Sequence, residues 1–214
     1  MKYKYLASSE ARNEIRAISN NLAEYLHENQ IKSIIFLDRS ARLGYIGLRY
    51  AWSDLYPNEK CPDVYFTNPE VYKRNRKIAI KEFDGKYKRL AKNKESKIML
   101  FDTYICTGDT IYSVKKVMNK TGYKNIELGI SKPKSPNILA VLARKIKFQD
   151  KTNFHALNYI PNYMCCPFGK DSMVEKSKNK IFSSRTKSMI NRKKSLELRA
   201  EIKDIFETWL SLKE

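Results

Sequence analysis

One stretch in the middle of the chain carries the residue types that bind a sugar phosphate. Residues 98–101 form a short apolar run typical of a buried strand, and Asp102 follows at its expected carboxyl end. A loop with Thr107 and Gly108 leads into residues 111–118, whose spacing predicts an amphipathic helix. Backbone N–H groups of the loop and the helix start, with Thr hydroxyls, make a cradle for phosphate. We expect Asp102 to accept hydrogen bonds from sugar hydroxyls.

This stretch resembles the phosphoribosyl-pyrophosphate signature of type I phosphoribosyltransferases: a hydrophobic strand, two acids, a linker and Thr-Gly-x-Thr. Asp102 matches the first acid and residues 107–110 match the phosphate loop, whereas Thr103 replaces the second acid. The resemblance implies that Asp102 is catalytic and holds the ribose hydroxyls. It also implies substrate-binding roles for Thr103, Cys106, Thr107, Gly108, Asp109 and Thr110. The alternative stays open, since strand, acid, turn and helix recur in Rossmann-like proteins whose turn binds nothing.

A basic loop follows an earlier predicted strand, residues 33–38. Arg39, Ser40 and Arg42 lie at the carboxyl end of this strand, where open α/β sheets bind anions. Guanidinium forks suit phosphate oxygens. In the phosphoribosyltransferases the corresponding loop grips pyrophosphate. The resemblance therefore implies that Arg39 is catalytic and that Ser40 and Arg42 bind substrate. A surface turn whose arginines pair with nearby acids is the other interpretation.

Two further segments extend the resemblance. Residues 161–171 are similar to the segment of hypoxanthine–guanine phosphoribosyltransferases that wraps the purine. It implies that Met164 stands at the base-stacking position and that Asp171, together with Asp102, lies near magnesium. Lys132 follows a strand predicted over residues 125–130, in the neighbourhood where a lysine of purine phosphoribosyltransferases contacts the base. A solvent-facing lysine fits Lys132 equally well.

The elements that must position these residues alternate between strands and helices. Helices are predicted from the Ser8 cap to about residue 29 and over 76–92 and 138–146, and further strands over 63–67 and 154–160. The alternation indicates an α/β protein with a central parallel sheet and helices on both faces. The resemblance implies a Rossmann-like type I phosphoribosyltransferase fold. We place a phosphoribosyltransferase-like domain at residues 1–172.

Residues 173–214 are expected to form a basic extension that ends in a helix. A basic linker over 176–194 predicts nucleic-acid binding or, equally, a solvated connection. The apolar residues after it recur at spacings of three and four: Leu198, Ile202, Ile205, Phe206, Trp209 and Leu212. This amphipathic helix is expected to pack on the domain or on a second subunit, the latter giving a homodimer.

Charge and cysteine usage bound the functional class. The chain has 214 residues, a formal net charge of +19 and a pI near 9.7, which favours polyanionic partners, although AT-rich coding also produces such a composition. No secretory leader or membrane span is evident, and the four cysteines show no C-x-x-C spacing. We therefore expect free thiols, no zinc site, no membrane association and a cytoplasmic location.

The sequence supports three functional hypotheses. The first is a magnesium-dependent phosphoribosyltransferase that joins the sugar to a nitrogenous base and releases pyrophosphate. The second is a catalytically weakened binding protein that senses phosphoribosyl pyrophosphate or a nucleotide and holds nucleic acid on its basic surface. The third is a basic α/β nucleic-acid-binding domain without the family's site.

Overall fold

The computed structural model describes residues 3–37, 41–105, 109–133, 154–156, 174–175, 179–182, 184–185 and 189–210. The helices among them are α1 Ser9–Glu28, α2 Ala41–Leu55, α3 Pro69–Arg74, α4 Arg76–Lys86, α5 Lys88–Ala91, α6 Asp109–Lys120 and α7 Met189–Leu210. The strands are β1 Ser33–Leu37, β2 Asp63–Thr67, β3 Ile98–Ile105, β4 Ile126–Pro133, β5 Phe154–Ala156, β6 Val174–Glu175 and β7 Ser184–Arg185. Helices and strands thus alternate through most of the described chain, as an α/β protein requires.

The central sheet is parallel, with strand order β2-β1-β3-β4-β5. The chain leaves β1 outward to β2 and then returns to place β3 on the other side of β1. Ser33 lies opposite Asp63 on one side and Ile98 on the other. Doubly wound sheets of this order bind ligands outside the carboxyl ends of the strands where the winding reverses, here between β1 and β3. β6 and β7 form a separate antiparallel pair.

The two faces of the sheet carry separate cores because successive strand side chains alternate between faces. Phe36 and Phe101 face α1, α2 and α7, together with Ile34 and Met99. Leu37 and Leu100 face the side covered by α3, α4 and α6. Every residue of β1 is buried, as expected for a central parallel strand. Asp102 has the parity of Leu100 and therefore lies on the α6 side.

Local sequence explains the two helices that cover the first face. The side chain of Ser8 caps α1 by accepting from the Ala11 N–H at 3.0 Å, and the chain turns out of the helix through Gln30 at φ 54°. Gly47 of α2 lets the two helices approach closely, since a Cβ there would lie 2.0 Å from the hydroxyl oxygen of Ser19. Helix α2 is thereby held with its first turn at the carboxyl end of β1.

Helix α7 packs on the same face and holds the start of the chain. Leu198, Ile202 and Phe206 are buried against α1 and α2. The buried carboxylate of Glu201 accepts from the backbone N–H groups of residues 4, 5 and 6 at 2.7–3.0 Å. Of the two packing alternatives predicted for the terminal helix, the structure shows packing on the chain's own domain; the boundary at residue 172 stays a prediction.

Several predicted boundaries need correction. The helix predicted over 76–92 is split into α4 and α5, and a short α3 precedes it. The predicted linker over 176–194 contains the first turns of α7, and within it Ile181 is buried in the α6-side core. The segments predicted as a helix over 138–146 and as strand over 157–160 lie outside the described residues. The α1 helix, the parallel sheet and strands β1 and β2 are confirmed.

Candidate functional site

Asp102 lies inside strand β3, which corrects its predicted place at the strand tip. The strand continues for three residues to Ile105, and Asp102 pairs in register with Ile130 of β4. Thr103, Tyr104 and Ile105 are β-branched or aromatic, types that favour extended backbone, and β4 runs alongside them. At about 3.3 Å per residue, the Asp102 Cα lies about 10 Å below the strand end. Its side chain is only 8% exposed.

The helix after the motif begins earlier than the sequence indicates. Asp109 and Thr110 lie in the first turn of α6 rather than in the loop. Asp109 is exposed there, and a carboxylate in a first turn stabilises the helix through its dipole. The same negative charge would oppose an anion bound at this terminus.

Lys132 also lies on a strand instead of in the predicted loop. β4 extends to Pro133, and Lys132 pairs with Tyr104 of β3. The backbone of Thr103 and Lys132 is described, but their side chains lie outside the described part of the structure. So do the remaining predicted site residues: Arg39, Ser40, Cys106, Thr107, Gly108, Met164 and Asp171.

Arg42 is the described member of the predicted pyrophosphate loop. It belongs to the first turn of α2, and its guanidinium carbon lies 4.2 Å from the ring centroid of Phe66, a cation–π contact. Phe66 stacks on Phe36, at a centroid distance of 5.8 Å, on the α2 side of the sheet. Arg42 and Asp102 are therefore on opposite faces of the sheet, near the same edge.

A buried hydroxyl chain that the sequence analysis missed lies at the carboxyl end of β2. Thr67 Oγ1 and the Tyr72 hydroxyl are 2.7 Å apart, and the Tyr87 hydroxyl donates to the carbonyl of Phe66 at 3.0 Å. Burial raises the pKa of Tyr72, which keeps it neutral. The available signal was Thr67 at a strand end, directly before the Asn68 helix cap.

Residues 180–181 close over this hydroxyl chain. The Asn68 backbone N–H donates to the Ile181 carbonyl at 2.6 Å, and its side-chain amide donates to the Lys180 carbonyl at 2.8 Å. Asn68 is itself buried. This part of the basic extension is therefore fixed to the sheet edge by hydrogen bonds to the β2–α3 connection.

The donor set for magnesium is limited in the described part of the chain. No group of three or more His, Cys, Asp and Glu side chains there could hold a metal ion. Magnesium nevertheless binds commonly through one carboxylate together with substrate phosphates, so the oxygen donor Asp102 fits the ion's chemistry. The described helices include none with the length and apolarity needed to span a membrane.

Comparisons with known proteins identify no family. No protein-family model and no curated protein matches the chain. Among solved structures, the purine phosphoribosyltransferase of Pyrococcus horikoshii is similar over 68% of this chain and 79% of its own, at 17% identity and TM-score 0.37. A probable maltose operon transcriptional repressor of Staphylococcus aureus is similar over 76% of this chain and 66% of its own, at 10% identity and TM-score 0.39. At these TM-scores neither likeness supports a family assignment.

Proposed function

We propose that the chain binds 5-phosphoribosyl 1-pyrophosphate at the β1–β3 edge of the sheet and transfers its phosphoribosyl group to a nitrogenous base. The observation that carries the proposal is the strand order, which makes β1 and β3 neighbours. The connections from β1 to α2 and from β3 to α6 therefore leave adjacent strands at the edge where open α/β sheets bind ligands. Residues 38–42 and 107–110, which these connections include in part, resemble the pyrophosphate and phosphate loops of type I phosphoribosyltransferases.

The proposed transfer needs charge neutralisation more than covalent help. The bond from the anomeric carbon to the pyrophosphate oxygen breaks as the bond to the base nitrogen forms, and that nitrogen loses a proton. Bound magnesium would supply positive charge at the leaving pyrophosphate. In this proposal Arg39, Ser40 and Arg42 bind pyrophosphate, Arg39 neutralising it as it leaves. Asp102 orients the ribose hydroxyls.

A thermal melt with millimolar phosphoribosyl pyrophosphate and magnesium tests the proposal. At a hundred times its dissociation constant the ligand stabilises the fold by about 2.7 kcal/mol, a shift of roughly 5–10 °C for a chain of this size. We expect Asp102→Asn to lose the shift. The matched control is Asp63→Asn at the amino end of β2, away from the proposed site. This variant should keep the thermal shift. No shift in the unmodified, folded chain contradicts the proposal.

The second candidate is a binding protein on the same fold without turnover. The depth of Asp102 in β3 favours it, as does Thr103 at the position of the second acid. Its basic surface would hold nucleic acid, in keeping with the net charge of +19. A ligand-dependent thermal shift without pyrophosphate release in the presence of purine and pyrimidine bases would favour this candidate over the transferase.

A further inference from the structure

A basic groove lies between α2 and α7, away from the α6 side of the sheet. Its volume is about 400 Å³. The cations and aromatic rings that line it are Tyr45, Arg49, Tyr50, Arg199 and Lys203. We call it the α2–α7 groove. The residues come from two helices that are about 150 positions apart in sequence, so only the fold brings them together.

Helix α7 sorts its charges between two faces. Glu197, Glu201 and Asp204 hold the start of the chain through Lys4, Tyr5 and Tyr3 and their neighbours. Arg199 and Lys203 each lie two positions beyond one of these acids, which is about 200° around a helix of 3.6 residues per turn. They therefore face the α2–α7 groove, on the side of the helix away from Glu197 and Glu201.

Arg199 is held in this groove without a complete set of partners. Its Nε is buried, and no hydrogen-bond partner for it lies among the described residues. Burial, and then the like charge of Arg42, lowers the pKa of Arg199. A buried, unsatisfied donor beside a like charge is unfavourable, and an oxyanion would relieve both conditions.

The described acids leave the groove basic. No described carboxylate forms an ion pair with Arg49 or Arg199. Lys203 pairs with Glu207 at 3.3 Å, but both side chains are more than half exposed. An exposed pair of this kind contributes little and exchanges readily for another anion.

The aromatic rings of the groove are fixed before any ligand arrives. Tyr50 stacks on Phe206 at 5.7 Å between centroids, and Tyr45 packs edge-to-face on Phe66 at 5.4 Å. Arg49 lies over the Tyr45 ring at 5.8 Å. Both tyrosines are partly exposed. Proteins bind single-stranded nucleic acids with this combination of preorganised rings and cations, because the rings stack on the bases while the cations bind the backbone phosphates.

From these observations we propose that the α2–α7 groove binds single-stranded nucleic acid, with Arg49 and Arg199 on its phosphates. Arg199 and Lys203 are four residues apart on α7, or about 6 Å along the helix axis, and Arg49 lines the groove from α2, so the cations extend beyond the width of one phosphate. The site is separate from Asp102 and from the predicted basic linker. It goes beyond the proposed transfer reaction and stands without it.

The test measures binding of a fluorescent 12-nucleotide oligouridylate to the full chain at several salt concentrations. The groove variant is Arg49→Gln/Arg199→Gln. We expect its affinity to fall at least about tenfold, equivalent to 1.4 kcal/mol. The slope of log affinity against log salt should become shallower by about 1.4, since two phosphate contacts at roughly 0.7 each are removed. Arg49→Gln alone changes an exposed residue and should give half the slope change with no risk to folding.

Matched controls separate this proposal from the others. Arg74→Gln removes one charge, as Arg49→Gln does, from an exposed position on α3 and should leave affinity and slope unchanged. Asp102→Asn should keep oligonucleotide binding, and the groove variant should keep the thermal shift with phosphoribosyl pyrophosphate. Equal losses in the Arg74 and groove variants, or an unchanged slope in the groove variant, overturn the proposal. Binding of inorganic phosphate together with no measurable oligonucleotide binding also overturns it, because the groove then takes only small anions.

Discussion

The acidic and basic faces of α7 differ in how completely their charges are matched. On the acidic face, Glu201 accepts three backbone N–H groups, and the Tyr3 hydroxyl donates to Asp204 at 2.6 Å. On the basic face, Arg199 retains a buried Nε with no partner among the described residues. The comparison teaches that the three acids of the acidic face hold the start of the chain, whereas Arg199 is partly buried with an incomplete set of described partners.

Removing Glu201 should have the largest effect on stability. Glu201→Ala leaves the backbone N–H groups of residues 4–6 without their acceptor, and the free energy of unfolding should fall by about 3 kcal/mol. Urea denaturation at neutral pH measures the change. Glu207→Ala, on an exposed part of the same helix, is the control and should stay within about 0.5 kcal/mol. Equal losses of unfolding free energy in the two variants would contradict the special role of Glu201 in holding the start of the chain.

Removing Arg199 should have a smaller effect of opposite sign. Arg199→Met keeps the apolar stem and removes a partly buried guanidinium that lies near Arg42. We expect the free energy of unfolding to stay constant or rise by about 0.5–1 kcal/mol, because an incompletely matched charge is removed. The same urea titration measures it. A loss comparable with that of Glu201→Ala would show that Arg199 is structural and would weaken the case for a ligand.

The smallest effect should come from the exposed pair of Lys4 and Glu197, and it should depend on pH. The hydrogen bond from Lys4 lowers the pKa of Glu197 below its ordinary 4.5, and the hydrogen bond to Glu197 raises the pKa of Lys4 above 10.5. A lowered acid pKa stabilises the fold above pH 4.5, and a raised base pKa stabilises it below pH 10.5. The pair therefore contributes fully between these values.

Glu197→Gln should accordingly lower the urea midpoint slightly and by a constant amount from pH 6 to 9. The difference from the unmodified chain should close as pH falls through the pKa of Glu197 and as it rises through that of Lys4. Urea titrations at pH 3, 7 and 11 measure it. Raising the salt concentration should shrink the difference at pH 7, since exposed charges are screened.

The sequence predicts the sheet better than it predicts the site. Residues 33–37 and 63–67 are recognisable as strands because apolar and β-branched types run without a break, and Ser8 marks the start of α1. The position of Asp102 was predicted wrongly because an acid in a strand interior looks like a strand end. Residues 103–105 have strand propensity, but only their pairing with β4 decides that the strand continues.

The start of α7 could not be predicted for a related reason. Its first turns expose their apolar residues, with Met189 72% and Ile190 69% exposed, so no apolar stripe marks them. Lysine and arginine are good helix formers, yet a basic run looks like a linker when nothing packs against it. The α2–α7 groove is still harder to predict from the sequence, because Arg49 and Arg199 become neighbours only through tertiary packing.

The attachment of residues 3–6 to α7 sets an order of events during synthesis. The contacts from Tyr3 and Tyr5 to Asp204 and Glu197 span 201 and 192 residues. At ribosomal speeds of about 5–20 residues per second, the first segment waits roughly 10–40 s for the helix that holds it. Until then the outer side of α1 is open to water on the nascent chain, and a chaperone that recognises apolar surface has that interval in which to act.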